Sequence, residues 1–385
     1  MRKLIASVLF LAMVIMAPTA LANSENIKQF TVNEVTVYPI QDSQGEMDVS
    51  LFSGPLSAQE RAAYMPGGKA PASINVFLLK TPSGNVLVDT GWGKSGPGGQ
   101  ALTDLIKLSG LGPDDIDVVV LTHMHPDHIG GLLNGHEPFF SRARVMVSAP
   151  ELSYWAKASA TSPPAAEQGD DSENLPAEAG DEPGFDPLAV PMENEGEAVV
   201  IEGEAAAPLS DEAVEEVAPA DEAAAPEAEE LPVAPGASAD NRDETEADVL
   251  AVAIRELPRA VIAAYGDRLT TFEFGSEVVP GLTAVEAVGH TPGHTALLLK
   301  SGERQLLFIG DLIHAAALQF PEPDECTSYD QDKAPAIGSR KVILSMAADG
   351  NLPVAGAHIP FPGIGFVKPD GKRGFTFTPV QGSGS

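Results

Sequence analysis

The 385-residue chain has a single cysteine, Cys326, so it can form no intrachain disulfide and cannot build a thiolate-rich metal site. Its stability must come from a packed core or from bound metal. Aromatic residues make up only 6% of the chain, and past the N-terminus no stretch approaches the roughly 20 apolar residues that a membrane-spanning helix needs. Bases are almost missing from residues 161–246, where Arg242 faces 26 of the chain's 55 acids. This segment carries −25 of the formal charge of −32, which leaves −7 for everything else. That remainder is ordinary for a soluble domain, and nothing in it resembles a basic footprint for nucleic acid.

The N-terminus reads as an export signal. Arg2 and Lys3 precede an apolar run from Leu4 to Met16, and Ala20-Leu21-Ala22 supplies small residues for cleavage. Residues 1–22 are therefore expected to be removed, which leaves a periplasmic or secreted protein with no membrane association after cleavage. Residues 161–246 are dominated by Ala, Glu, Pro and Asp, with Phe185 as their one aromatic residue. Such a composition cannot bury enough surface to offset its ordering entropy, so the segment is expected to be a disordered acidic insertion. It splits one domain into halves at 23–160 and 247–385.

Within the first half, Ile74–Leu79 and Val86–Asp89 read as buried strands on either side of a Pro82-Ser83-Gly84-Asn85 turn, and Ala101–Leu108 reads as a helix. Asp117–Leu121 reads as an apolar strand that ends where the histidines begin. In the second half, the pattern predicts a helix over Asp248–Ala264 interrupted at Pro258 and strands near Thr283–Ala287, Ala296–Lys300 and Gln305–Ile309. A further helix is expected at Ala336–Ala348, and a hairpin turn at Asp370-Gly371. Apolar strands followed by helices in both halves point to a layered α/β sandwich.

The chemistry concentrates in four places. Thr122-His123-Met124-His125-Pro126-Asp127-His128 holds three of the chain's eight histidines and a carboxylate within one loop. Imidazole and carboxylate suit borderline divalent ions, and a loop can present alternate side chains to two of them. Gly289-His290-Thr291-Pro292-Gly293-His294 also follows a predicted strand, where open α/β sheets place their ligand sites. Leu307-Phe308-Ile309-Gly310-Asp311 ends an apolar strand with a carboxylate that is costly to bury unless a cation receives it. Ala357-His358 adds a last imidazole. His136 reads as a surface residue.

In order and spacing, these segments resemble the metallo-β-lactamase superfamily, as does Asp89-Thr90-Gly91. The resemblance spans the chain apart from the signal and the insertion. It implies an αββα four-layer sandwich whose halves meet at two metal ions. Carried over position by position, it implies that His123, His125 and His290 bind one ion and Asp127, His128 and His358 the other, with Asp311 between them. Asp89 then supports the metal loops, and His294 supports ligands rather than being one. His314, three residues past Asp311, is a pocket candidate.

The resemblance also implies a dinuclear-metal hydrolase that attacks a small-molecule substrate with a metal-bridging hydroxide, which Asp127 orients or deprotonates as the catalytic residue. Zinc is the expected metal, with manganese, cobalt or iron as alternatives, and a homodimer is compatible with this reading. Ser73, Ser148 and Cys326 lack an adjacent base, which disfavours covalent catalysis. Asp311 stands where one class of true β-lactamases carries cysteine. The runs Ala315–Phe320, Asp330–Asp332 and Gly356–Gly365 resemble the methyl parathion hydrolase and lactonase-like subgroup. The expected substrates are accordingly lactones, aryl esters or organophosphate triesters. Phe320, Phe361, Trp92 and Trp155 are candidates for the pocket wall. Two alternatives stand beside this reading: a mononuclear-iron persulfide dioxygenase, and a non-catalytic, metal-stabilised binding protein.

Overall fold

A computed structural model of the chain describes residues 28–93, 101–160 and 246–380. The expected signal segment 1–22 and the acidic segment up to residue 245 lie outside the described residues; Glu246 already opens a helix.

Two seven-stranded sheets dominate the structure. In the first, Phe30–Val32, Val35–Asp48, Lys69–Thr81 and Gly84–Val88 pair antiparallel in that order, and Val118–Val120, Arg144–Ser148 and Leu269–Phe272 extend the sheet in parallel. The second runs Glu277–Val279, Leu282–Glu286, Thr295–Ser301 and Arg304–Gly310, all antiparallel. Pro353–Gly356 then joins in parallel, and Ile364–Pro369 and Phe375–Pro379 complete the sheet antiparallel.

Side-chain alternation along the strands sorts the apolar residues into layers. Phe77, Leu79, Val86, Val88 and Val120 of the first sheet pack between the sheets against Leu297, Leu299, Leu306 and Phe308 of the second. Their neighbours Leu78, Leu87 and Val119 point the other way, onto the helices Ala101–Leu108, Ala149–Ala160 and Glu246–Tyr265 through Leu102, Ile106, Trp155, Val261 and Tyr265. On the far face of the second sheet, Leu307 and Ile309 pack on Ile343, Leu344 and Ala347 of the helix Lys333–Asp349. The order helix, sheet, sheet, helix is the αββα sandwich expected from the sequence.

One local expectation fails. The helix Glu246–Tyr265 passes through Pro258 without a break. Proline removes one hydrogen bond and kinks an isolated helix. Here the following turns are held by Val261 and Tyr265, both buried in the core, and the Tyr265 hydroxyl donates to Leu132 O at 3.0 Å. Tertiary packing therefore outweighs the local penalty. The last hairpin turns over the five residues Asp370–Gly374, with the Asp370 N–H donating to Gly374 O. Among the described residues, no helix is long and apolar enough to cross a membrane.

Candidate metal centre

All four histidine- and aspartate-bearing segments leave the carboxyl ends of strands at the same edge of the sandwich. His123 to His128 follow Val118–Val120, Asp311 follows Arg304–Gly310, and His358 lies two residues past Pro353–Gly356. The loop of His290 joins Leu282–Glu286 to Thr295–Ser301. Pro126 occupies the first position of a short helix, Pro126–Ile129, where its missing N–H costs nothing. This turn carries Asp127 and His128 out of line with His123 and His125. Gly130 and Gly131 press on the backbone of Trp92 and Thr90, so a side chain at either would push that loop away. Gly310 has φ +49, and a Cβ there would stand 2.6 Å from His294 Nε2. Glycine is the residue that allows both that backbone conformation and that approach.

The donors fall into two groups of four. One atom from each of His123, His125, His290 and Asp311 lies within 4.8 Å of the others, and the same holds for Asp127, His128, Asp311 and His358. Asp311 belongs to both. Its Oδ2 is 3.6 Å from His123 Nε2, 3.2 Å from His290 Nε2 and 3.1 Å from His358 Nε2, and its Oδ1 is 3.0 Å from His128 Nε2. His290 Nε2 and His125 Nδ1 approach to 2.9 Å.

The bonds behind the rings assign their protons. His128 Nδ1 meets Asp89 Oδ2 at 2.9 Å, His290 Nδ1 meets Asp330 Oδ1 at 3.0 Å, and His358 Nδ1 meets Ser73 O at 3.1 Å. The Thr122 hydroxyl donates to Asp89 Oδ2 at 2.8 Å, which leaves its oxygen to accept from His123 Nδ1 at 3.1 Å. Each of these four imidazoles thus holds a proton on Nδ1 and points Nε2 inward, where release of any second proton leaves a lone pair for an ion. His123 Nε2 is buried with no hydrogen-bond partner, and the buried His128 Nε2 and Asp311 Oδ1 face only each other, at 3.0 Å. Leaving such an atom unsatisfied costs about 1–3 kcal/mol, more where the group is charged. Convergent lone pairs from imidazole and carboxylate are the donor set that divalent ions take, so these residues fit two such ions.

The charge balance agrees. Burial opposes a proton on His128, yet Asp311, Asp127 and Asp89 raise its pKa well above the ordinary range. His290 is raised to about 9: burial acts against it, and hydrogen bonds to Asp311 and Asp330 prevail. Burial, reinforced by the neighbouring imidazoles, lowers His123 and His125. Burial would raise the Asp311 carboxyl, but His128, His358 and His123 hold it well below its usual range. The cluster draws positive charge to its centre.

Other expected residues take different places. His294 has both ring nitrogens engaged, Nδ1 with Ala287 O at 2.9 Å and Nε2 accepting the Asp311 N–H at 3.0 Å. It orients Asp311 and offers no free lone pair; burial pushes its pKa down to about 3. His314 joins the cluster, its Nε2 3.2 Å from Asp311 Oδ2 and its ring stacked on His358. Gln319 fixes its backbone by accepting the His314 N–H at 2.7 Å. His136 is exposed. Trp155 is buried with its ring 6.0 Å from His125, and Trp92 and Phe361 are half-buried. Phe320 is not a pocket wall: it is 1% exposed and stacks on Phe377 at 4.9 Å in the outer core of the second sheet. The strand and helix packing there encloses it.

Several supporting residues have roles that the sequence did not assign. Asp330 links His290 to the fully buried Arg340, whose Nη2 lies 3.2 Å from Asp330 Oδ2. Ser73, viewed in the sequence only as a nucleophile, instead orients His358 through its carbonyl. Glu151 is fully buried and accepts N–H groups from Met124 and Gly293, one in each of the two histidine loops. Tyr329 is half-buried; burial and then the charge of Asp127 raise its hydroxyl pKa.

Asp42 is also buried. Its Oδ2 accepts the Trp92 N–H at 2.9 Å while Oδ1 has no partner. Burial, partly countered by the Trp92 bond and reinforced by the charge of Asp127, pushes its pKa up from 3.8 to about 6. A carboxyl raised in the folded state stabilises the fold fully below its ordinary pKa, and that contribution is lost as pH rises through about 6. Asp42→Asn keeps the acceptor for Trp92 and removes the charge. The variant is expected to exceed the wild type in stability by about 1–3 kcal/mol at neutral pH, with the gap closing towards pH ~4. Denaturant melts at the two pH values check this; a pH-independent gap contradicts it.

The model of the metallo-β-lactamase superfamily matches residues 70–208. Among solved structures, AidC, described as a dizinc quorum-quenching lactonase in complex with a product, is 21% identical, with a TM-score of 0.65 over 92% of this chain and 98% of its own. AbOPH, described as a hydrolase in the β-lactamase superfamily, is 22% identical, with a TM-score of 0.64 over 92% of this chain and 98% of its own. A probable metal-dependent hydrolase from Staphylococcus aureus is 14% identical, with a TM-score of 0.55 over 91% of this chain and all of its own. These likenesses show a shared fold. No curated protein matches the sequence.

Proposed function

Because this chain has the metallo-β-lactamase fold and gathers two four-donor groups around one shared carboxylate, we propose that it is a two-metal hydrolase of uncharged esters: lactones, aryl esters or organophosphate triesters. The observation that carries the reading is the position of Asp311, in reach of His123 and His290 on one side and of His128 and His358 on the other. His123, His125 and His290 would hold one ion and Asp127, His128 and His358 the second. When bound, such a pair supplies Lewis acidity and lowers the pKa of water towards neutrality.

The chain's own residues then have separable tasks. Asp311 is 2% exposed and serves to hold charge, whereas the side chain of Asp127 is 17% exposed and within reach of solvent. Asp127 therefore holds or moves the proton of the attacking water. His125, Trp92, Tyr329 and Phe361 are each half-buried, and their imidazole and aromatic surface would suit an uncharged acyl or aryl group better than an anion. The guanidinium of Arg340 is occupied by Leu312 O, Pro323 O, Glu325 O and Asp330 and stays buried, so it is not free to receive a phosphate or carboxylate.

Two complete donor groups support this reading over a single-iron oxidation of persulfides, and the open carboxylate supports it over a purely binding role. The lactonase described among the structural neighbours and the sequence resemblance to the methyl parathion hydrolase subgroup favour the same substrate classes. Residues 1–22, as an export signal, would place the activity in the periplasm or outside the cell, with residues 161–246 as a solvated insertion. Purified mature chain loaded with zinc, manganese or cobalt should cleave at least one member of a panel of lactones, aryl esters and phosphotriesters. Asp127→Ala should lower that turnover about 10²- to 10⁴-fold with the fold intact. Inactivity of the wild type across the panel contradicts the proposal.

A further inference from the structure

Glu151 sits in the first turn of the helix Ala149–Ala160, fully buried and with no basic partner among its hydrogen bonds. Its Oε1 accepts the Met124 N–H at 2.9 Å and the Trp155 indole N–H at 2.7 Å, and its Oε2 accepts the Gly293 N–H at 2.9 Å. Met124 lies between His123 and His125, and Gly293 lies in the loop of His290. Trp155, held by the same carboxylate, places its ring edge-on to His125 with centroids 6.0 Å apart. The contact with Gly293 is doubled: the Ser148 hydroxyl donates to Gly293 O at 2.6 Å and accepts the Glu151 N–H at 3.3 Å. Gly293 lies against the Glu151 backbone so closely that a Cβ would not fit.

Both loops bonded by Glu151 carry ligands of the first donor group, and Met124 lies between His123 and His125, ahead of the short helix Pro126–Ile129 that carries Asp127 and His128. The second group is held from elsewhere, His128 by Asp89 and His358 by Ser73. We propose that Glu151 is the positioning residue of the first group: it locks the two histidine loops, which come from opposite halves of the chain, at the spacing at which His123, His125 and His290 receive an ion together. The inference rests on the two-metal reading above. A buried carboxylate is suited to this task because it accepts several N–H groups at once with charge-assisted strength. Glutamine has the same shape but must turn its NH₂ towards one set of these donors, so it opposes one loop while still bonding the other.

The test is competitive binding of cobalt or zinc by the full mature chain against a chelator, followed by metal count and by the cobalt absorption spectrum. Glu151→Gln is expected to weaken one site about 10- to 100-fold and leave the other at wild-type affinity. In a His358→Ala background, where the first group remains, it should lose the remaining ion. In a His290→Ala background the remaining ion should be unaffected. Trp155→Phe keeps an aromatic ring and the loop bonds, so it should show a smaller loss at the same site and decides the matter if Glu151→Gln does not fold. Wild-type affinity at both sites in either variant, or equal weakening of both sites, overturns the proposal. If the wild type binds two ions while Glu151→Gln and Trp155→Phe do not discriminate between them, only this inference fails. A wild-type chain that takes up no ion overturns the hydrolase reading beneath it as well.

Discussion

Asp311→Ala is expected to lower hydrolytic turnover on the order of a thousandfold or more, equivalent to ~4 kcal/mol, and to abolish tight binding of both ions. The size follows from its position. Among the described residues, its side chain is the one that belongs to both donor groups, and it faces His123, His290, His314 and His358 through Oδ2 and His128 through Oδ1. Alanine removes the negative charge around which these imidazoles gather, so two cations placed there would repel one another without relief. Asp311→Asn separates charge from shape: it fills the same space, leaves the backbone N–H on His294 Nε2, and should still lose most of the activity. Steady-state kinetics with metal-supplemented buffer measure both. A variant that keeps more than a tenth of wild-type turnover contradicts the role given to Asp311.

Removal of metal should have the second large effect, on stability. Each ion bound at a thousandfold excess over its Kd adds about 4 kcal/mol, and for a domain of this size each kcal/mol moves Tm by roughly 2–4 °C. Chelation at pH ~7.5 is therefore expected to lower Tm by roughly 10 °C per ion, because it leaves buried donor atoms such as His123 Nε2 without a partner. The effect has a defined pH sense. Ligand imidazoles must be unprotonated to bind metal, so affinity, and with it the gap between loaded and stripped protein, shrinks as pH falls. Scanning calorimetry with and without chelator measures the gap; equal Tm values at neutral pH contradict two tightly held ions.

The sequence disclosed those parts of the site that are locally dense. Three imidazoles and a carboxylate between His123 and His128 leave little room for another reading, and the apolar alternation of Phe77 to Leu79 or Leu306 to Ile309 marks strands covered on both faces. The supporting framework was hidden because its bonds connect distant positions through groups every residue possesses. Ser73 acts on His358 through a backbone carbonyl 285 residues away. Glu151 acts on Gly293 through a backbone N–H 142 residues away, and as a glutamate in the first turn of a helix it looks like an ordinary helix-start acid. Asp330 required knowledge that its neighbour would be His290 and that Arg340 would be buried behind it. Phe320 shows the converse error: an aromatic close in sequence to Asp311 suggested a pocket wall, yet the strand order turns its ring onto Phe377.

Metal content of the purified chain, reconstituted with zinc and freed of loosely held ion, tests the central claim most directly. Two ions per chain, both lost in Asp311→Ala, is the predicted result. A single ion at saturation, or one tightly retained iron, contradicts the two-metal hydrolase.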